Sequence, residues 1–185
     1  MPEAPSSILQ AVLRAAVDAT GATQGWILAS AGDELVVRAT SGTGPDLVGA
    51  RVPMHSGFAG YVASSGQPLA MSPRRDDERG GQGVAAIVGT RPGSVLAVPC
   101  STDDAVHGVL ELVDKHSGGP FSFDDVELAT LLAGIAGSAL EADDTQGAKV
   151  PSPRELGDDL AHLAAGDPAR YAALATFLTA VLGDG

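Results

Sequence analysis

Nothing in this chain limits its fold as much as the segment from about Asp124 to Glu141, which is apolar on two sides. Leu128, Leu131, Leu132, Ile135 and Ala139 recur at helical spacing as one stripe, and Ala129, Ala133, Ala136 and Leu140 recur as another. A helix at a protein surface needs a single apolar stripe, so a helix with two must be covered twice. Asp124, Asp125 and Glu127 lie at its positive end and favour a helix start there. The segment from Ser6 to Thr20 behaves similarly. Ser6 suits an N-cap, Ile8, Leu9, Val12, Leu13, Ala16 and Val17 spread over more than one stripe, and Gly21 stops the run.

Between these helices the chain alternates strands with loops. Trp26–Ser30 and Glu34–Thr40 are apolar-rich runs joined by Ala31-Gly32-Asp33, which predicts a β-hairpin. Arg51-Val52-Pro53 predicts a short extended piece. Ser56 is placed to cap a helix running through Phe58, Tyr61 and Val62 to Gly66, and Leu69-Ala70-Met71 follows as a brief strand. Val95–Cys100 and His107–Val113, with Asp103-Asp104 in the turn between them, predict a second hairpin. From Ser72 to Gly93 the chain becomes polar and glycine-rich, a long surface excursion with a short helix at Val84–Val88. Excursions of this length in compact domains are often lids or binding loops.

Beyond the second long helix, residues 142–152 read as a linker from their charges, Gly147 and Pro151. Leu156, Leu160, Leu163 and Ala164 then trace one amphipathic helix ending at Gly166. Asp167-Pro168 supplies a cap and a first-turn proline for another, carrying Tyr171, Leu174, Ala175, Leu178, Val181 and Leu182. The expected fold is α+β: a domain at 6–141, a linker at 142–152 and a helical hairpin at 153–183.

Composition excludes several function classes. A chain of 185 residues with 44% hydrophobic content buries one substantial core plus an appendage. Its formal charge of −12 repels phosphate backbones and anionic lipid, so no nucleic-acid and no membrane partner is expected. Cys100 is the only cysteine, which leaves no internal disulfide, two-cysteine relay or Cys-rich zinc site and fits a cytoplasmic setting. MPEAPSSILQ lacks the basic start and apolar run of a signal peptide, and no stretch approaches about 18 uninterrupted apolar residues. The chain reads as soluble and unprocessed.

Four segments, in order, resemble the GAF domain family. They are Gly57-Phe58-Ala59-Gly60-Tyr61-Val62-Ala63 running on to Gly66-Gln67-Pro68-Leu69, then Ser94-Val95-Leu96-Ala97-Val98-Pro99. Gly108-Val109-Leu110-Glu111-Leu112-Val113-Asp114-Lys115 and Phe121-Ser122-Phe123-Asp124-Asp125 complete the set. The resemblance covers residues 6 to 141. It implies a central antiparallel sheet with the first and last domain helices on one face and a loop-covered ligand cavity on the other. It also implies small-molecule sensing, often by a dimer built from those helices. A four-helix dimer bundle would independently give two-sided helices their second partner.

Strand alternation sets Glu111 with Val109 and Val113, opposite Leu110 and Leu112. With the leucines on the helices, Glu111 faces the cavity side, where a carboxylate either holds a polar ligand or pairs with an arginine. Trp26, Phe58, Tyr61 and Met71 line the same space or pack the core, and Val98 and Cys100 complete the expected ligand-lining set. Cys100 otherwise reads as a half-buried hydrophobe at a strand end. Arg74, Arg75, Arg79 and Arg91 meet an anion or, with Asp76, Asp77 and Glu78 interleaved, form a solvated loop.

Cyclic-nucleotide-binding members of the family resemble a pattern of Asn-Lys, Phe and Asp-Glu, from which Asp114-Lys115, Phe121 and Asp124-Asp125 depart. Here Lys115 is expected to pair with an acid at the following helix start and Phe121 to plug the core. His55, His107, His116 and His162 lack metal-ligand spacing, so no metal is expected and the cofactor is unknown. No Ser-His-Asp order, Walker loop, HExxH or dinucleotide fingerprint is present in the sequence, so no catalytic residue is expected. Free methionine sulfoxide reductases of this family use several cysteines, and a lone thiol cannot close an intramolecular disulfide. The reading is a non-enzymatic sensing or regulatory module, a homodimer acting through an unidentified protein partner. A ligand-free interaction scaffold is the alternative, and a reductase-like enzyme the remote one.

Overall fold

The computed structural model describes residues 7–42, 46–103, 105–147 and 153–182. The expected cap Ser6, turn residue Asp104, linker residues 148–152 and terminal Gly183 lie outside these, as do the side chains of Leu156, Leu178, Val181 and Leu182. The chain divides into two compact units, residues 1–145 and 146–185.

In the first unit, α1 (Ser7–Thr20) leads into the hairpin β1 (Ala22–Ala31) and β2 (Glu34–Gly42), followed by β3 (Arg51–Pro53), α2 (Gly57–Ser65) and β4 (Leu69–Met71). The excursion after β4 holds a 3₁₀ turn (Glu78–Gly81) and α3 (Val84–Val88). The hairpin β5 (Val95–Ser101) and β6 (Val106–Lys115) follows, then α4 (Phe123–Gly147). The strands form one sheet in the order β3-β2-β1-β6-β5-β4, with every neighbouring pair antiparallel. This is the α+β architecture expected.

The sheet separates two buried clusters. On one face α1 and α4 pack through Leu9, Leu13, Ala16, Ala129, Ala133, Ala136 and Leu140 against Ile27, Leu96, Leu110 and Leu112. The small α4 residues bring backbone and strand close together. A Cβ added to Gly108 would overlap the Leu28 carbonyl oxygen and lie 2.8 Å from Leu140 Cδ1. The α4 helix is two-sided as expected, with Leu131 and Ile135 left 72% and 53% exposed on its outer stripe. The α1 helix corrects the expectation: Leu9, Val12, Leu13, Ala16 and Val17 all turn inward, and of the expected apolar residues Ile8 alone lies outward, at 54% exposure. Those five fall within one arc of a 3.6-residue period, so one covering surface suffices.

Two strands carry an extra residue. Ile27 pairs with Ala39 while Leu28 pairs with Val37, which leaves Arg38 as a bulge on β2. The bulge moves Ala39 to the helix face although Leu35 and Val37 lie on the other. Cys100 pairs with Gly108 while Ser101 pairs with Val106, which leaves His107 as a bulge on β6. Both bulged residues meet the end of α4, with Arg38 Nη2 3.6 Å from Asp143 and His107 Nε2 3.7 Å from Glu141.

The α4 helix runs on to Gly147, so residues 142–147 of the expected linker are helical. No glycine or proline interrupts the segment before Gly147, and nothing local stops the helix earlier. In the second unit, α5 (Pro153–Gly166) and α6 (Pro168–Leu182) form a helical hairpin. Asp167 Oδ1 accepts from the Arg170 amide at 3.0 Å, capping α6 ahead of its first-turn proline. No helix among the described residues is long and apolar enough to cross a membrane.

Candidate functional site

The face away from α1 and α4 buries a carboxylate. Glu111 lies at the centre of β6, in register with Trp26 of β1 on one side and Ala97 of β5 on the other. Its neighbours on this face, Trp26, Ala97, Val109 and Val113, belong to the second cluster with Phe58, Ala59 and Val62 of α2 and Val84 of α3. Glu111 is 5% exposed. It has no hydrogen-bond or ion-pair partner among the described residues, so no arginine neutralises it. Burial alone pushes its carboxyl up to about 7. At neutral pH it can therefore donate a hydrogen bond or accept one.

The cover over this face is α2 stitched to the excursion. Ser56 precedes α2 with extended backbone but makes no side-chain bond to the helix start, contrary to the expected cap. Its Oγ instead accepts from the Gly83 amide at 2.9 Å, and the Gly57 amide reaches Gln82 Oε1 at 3.5 Å. Arg79 lies 5.3 Å above the Phe58 ring and 5.7 Å from that of Tyr61, a cation–π stack that ties the 3₁₀ turn to α2. At the far end of the excursion, Asp114 Oδ1 accepts from the amides of Gly93 at 2.7 Å and Ser94 at 3.1 Å. Asp114 does this from a left-handed backbone with φ 51°, which aspartate tolerates better than most residues.

Of the expected ligand-lining residues, Trp26, Phe58 and Glu111 come together here, and Met71 packs at the edge of the same cluster. Tyr61 does not join them: it lies 46% exposed on the outer side of α2. Val98 and Cys100 sit on the opposite face, among the residues under α1 and α4. Cys100 is fully buried rather than half-buried, and burial pushes its thiol up to about 12. His55 is exposed and bonds Ser64 Oγ at 3.0 Å.

Two polar groupings outside this face read as structural. Lys115 Nζ lies 2.6 Å from Asp125 Oδ2, which also accepts from the Ser122 amide and hydroxyl at 2.7 Å and 3.0 Å. Burial works against the Asp125 charge, but these bonds outweigh it and hold the carboxyl below its usual range. Phe121 is buried in the helix-side cluster, so the expected pairing and core plug are both present. At the β5–β6 turn, Thr102 Oγ1 lies 2.9 Å from His107 Nε2, with Glu141 Oε1 3.7 Å from the same nitrogen. A hydrolytic relay needs the acid on the other ring nitrogen, and this cluster lacks that order. No group of three or more His, Cys, Asp or Glu among the described residues is placed to hold a metal ion.

Comparison with known proteins bears on this arrangement. A family profile described as the GAF domain matches residues 3–141. The chain belongs to the GAF domain family. The GAF-B domain of DevS from Mycobacterium smegmatis superposes with a TM-score of 0.60 at 23% identity, covering 77% of this chain and 97% of that one. A free methionine-R-sulfoxide reductase from Neisseria meningitidis, solved in complex with its substrate, gives a TM-score of 0.59 at 19% identity over 78% of this chain and 83% of that one. At such identities the likeness concerns the GAF fold alone. By sequence, the probable 3′,5′-cyclic phosphodiesterase pde-5 of Caenorhabditis elegans is 34% identical over 109 residues, 59% of this chain. The match spans 14% of that protein's length.

The GAF motif residues Gly57 to Leu69 thus build the cover, and Gly108 to Lys115 builds the strand carrying Glu111. The roles of Ser56, Arg79 and Asp114 in pinning the excursion were missed in the sequence. Asp114 preceding a Lys at a strand end and an arginine among acids were the available signals.

Proposed function

We propose that this chain is a non-catalytic, cytoplasmic GAF module that senses a small molecule and acts through protein contacts, its output carried by a separate partner. The observation that supports this reading is Glu111, a carboxyl buried in an apolar cluster without a partner. Burial strips most of the water from this carboxyl, and a ligand's donor or cationic group would replace it. Trp26, Phe58 and Met71 would flank such a ligand. Because side chains already pack this face, the ligand would enter by shifting α2 and the excursion and so favour a second packing of the cover. The exposed stripe at Leu131 and Ile135, with Ile8 of α1, would pair two copies through their helices, and residues 146–185 would offer the partner surface.

Support for a non-enzyme comes from Cys100, which is buried, held protonated and on the other side of the sheet from Glu111. The alternative, a ligand-free scaffold, draws support from the same filled face. A thermal-shift screen with cyclic nucleotides, free amino acids including methionine sulfoxide, and metabolites separates the readings. A cognate molecule at about a hundred times its Kd adds about 2.7 kcal/mol to wild type and much less to Glu111→Gln. Stabilisation by none of them would favour the scaffold. Turnover of methionine sulfoxide abolished by Cys100→Ser would overturn the non-enzymatic reading.

A further inference from the structure

The excursion between β4 and β5 concentrates positive charge in an acidic chain: Arg74, Arg75, Arg79 and Arg91 are four of its 11 basic residues. The neighbouring Asp76, Asp77 and Glu78 would be expected to cancel them, yet the structure keeps all three acids out of the lining of one concavity. Asp77 is engaged by Arg79, whose Nε and Nη2 donate to its two carboxylate oxygens at 3.1 Å and 2.9 Å. That bond from Arg79 holds the Asp77 carboxyl below its usual range. The other three arginines line a surface pocket of about 570 Å³ with Pro73, Gly80, Pro92 and Gly93, and no carboxylate stands among its lining residues. Asp76, Asp77 and Glu78 line an adjoining depression, whose wall Arg74 and Arg79 share.

The pocket is built rather than incidental. Arg91 Nη1 donates to the carbonyls of Arg75 and Asp77, both at 3.2 Å, which fixes its guanidinium against the loop. Gly81 leaves the room this needs, since a Cβ there would lie 2.9 Å from Arg91 Nη2. The side chains of Arg74 and Arg75 have no hydrogen-bond or ion-pair partner among the described residues. Asp77 draws on Arg91 as well as on Arg79, but it does not lie between the three guanidinium groups of this concavity, and an anion placed there would relieve their mutual repulsion. Their planar forks match a phosphate group, whose several charged oxygens can accept paired bonds from more than one arginine.

We propose that this pocket binds the phosphomonoester or pyrophosphate group of a small molecule. The net charge of −12 opposes an extended polyanion while leaving a compact anion free to enter. The site is separate from Glu111 and stands whether or not that face takes a ligand. It is still connected to the cover, because Asp77 holds Arg91 through its carbonyl and Arg79 through its carboxylate, and Arg79 rests on Phe58.

The test is calorimetric titration of inorganic pyrophosphate into the full chain at low and at raised salt. One pyrophosphate binds per chain, more weakly as salt rises. Arg74→Ala with Arg75→Ala weakens binding at least about tenfold without lowering the melting temperature, since neither side chain has a partner to lose. Arg91→Lys keeps the charge but loses the fork, and weakens binding too. Removing equal charge elsewhere, with Arg14→Ala and Arg170→Ala, leaves affinity unchanged. Absence of pyrophosphate binding, equal binding by the double variant, or equal loss in the remote control overturns the proposal. So does capture of a glutamate-rich peptide without pyrophosphate binding, which would make the patch a protein-docking surface.

Discussion

The two faces of the β-sheet are buried to similar depth but differ in what they hide. Under α1 and α4 lie leucines, alanines and a thiol that burial keeps protonated, with Gly108 allowing close approach. Under α2 lies a comparable apolar set, but Glu111 stands among it without a partner. A carboxylate in such surroundings destabilises the fold, and a chain optimised only for packing would place an aliphatic residue there. The helix side is a scaffold held by shape, whereas the covered side keeps a polar group in reserve.

The largest expected effect breaks the scaffold side. Gly108→Val drives a side chain into the Leu28 carbonyl and Leu140, and is expected to cost more than about 4 kcal/mol or abolish folding; chemical denaturation measures it. A cost below about 1 kcal/mol would mean that the helices lie less tightly on the sheet than the close approach requires.

Next comes the pH dependence of the covered side. The folded Glu111 carboxyl titrates at about 7 against an ordinary 4.5, so the native state holds its proton more tightly than the unfolded chain does. Its contribution to stability is fully present below pH 4.5, is lost as pH rises toward 7 and levels off above that. The loss is about 3 kcal/mol, and Glu111→Gln removes this pH dependence. Melting of both proteins across the range checks this, and identical curves would mean that Glu111 is paired after all.

The smallest stability effect, and the sharpest for the outer layer, is Leu131→Glu with Ile135→Glu. Both side chains are exposed, so the fold should change by no more than about 0.5 kcal/mol. If the proposed helix pairing holds, sedimentation reports dimers for wild type and monomers for the double variant. Monomeric wild type would remove the helix pairing from the proposal.

The elements that could be read from sequence were those with a strong local signal. Alternation around Leu110 and Leu112 placed Glu111 on its correct face, and α4 announced two stripes because alanines and leucines separate cleanly on it. The misplacements have equally local causes. Val95 to Cys100 is apolar without interruption, so period two could not say that Val98 and Cys100 join Leu96 rather than Ala97. The α2 helix is short and apolar nearly all round, which hid the outward direction of Tyr61. Ser56 stood where a cap belongs, but its hydroxyl is used by an amide 27 positions away, a contact no local pattern encodes.

The bulge at Arg38 left no mark of glycine or proline, and the one at His107 only the adjoining Gly108, yet they give each strand a parity. Counted by residue number, every side chain beyond Arg38 is out of step with those before it, which is how Ala39 reaches α1 and α4 while Val37 faces α2. Trimming that single residue would restore an unbroken ladder with Ala39 still opposite Ile27 and Val37 still opposite Leu28, each on the face it already occupies. Arg38 is therefore the position in this strand where a residue can be lost without turning its neighbours over, whereas losing a paired residue beside it would exchange the two faces.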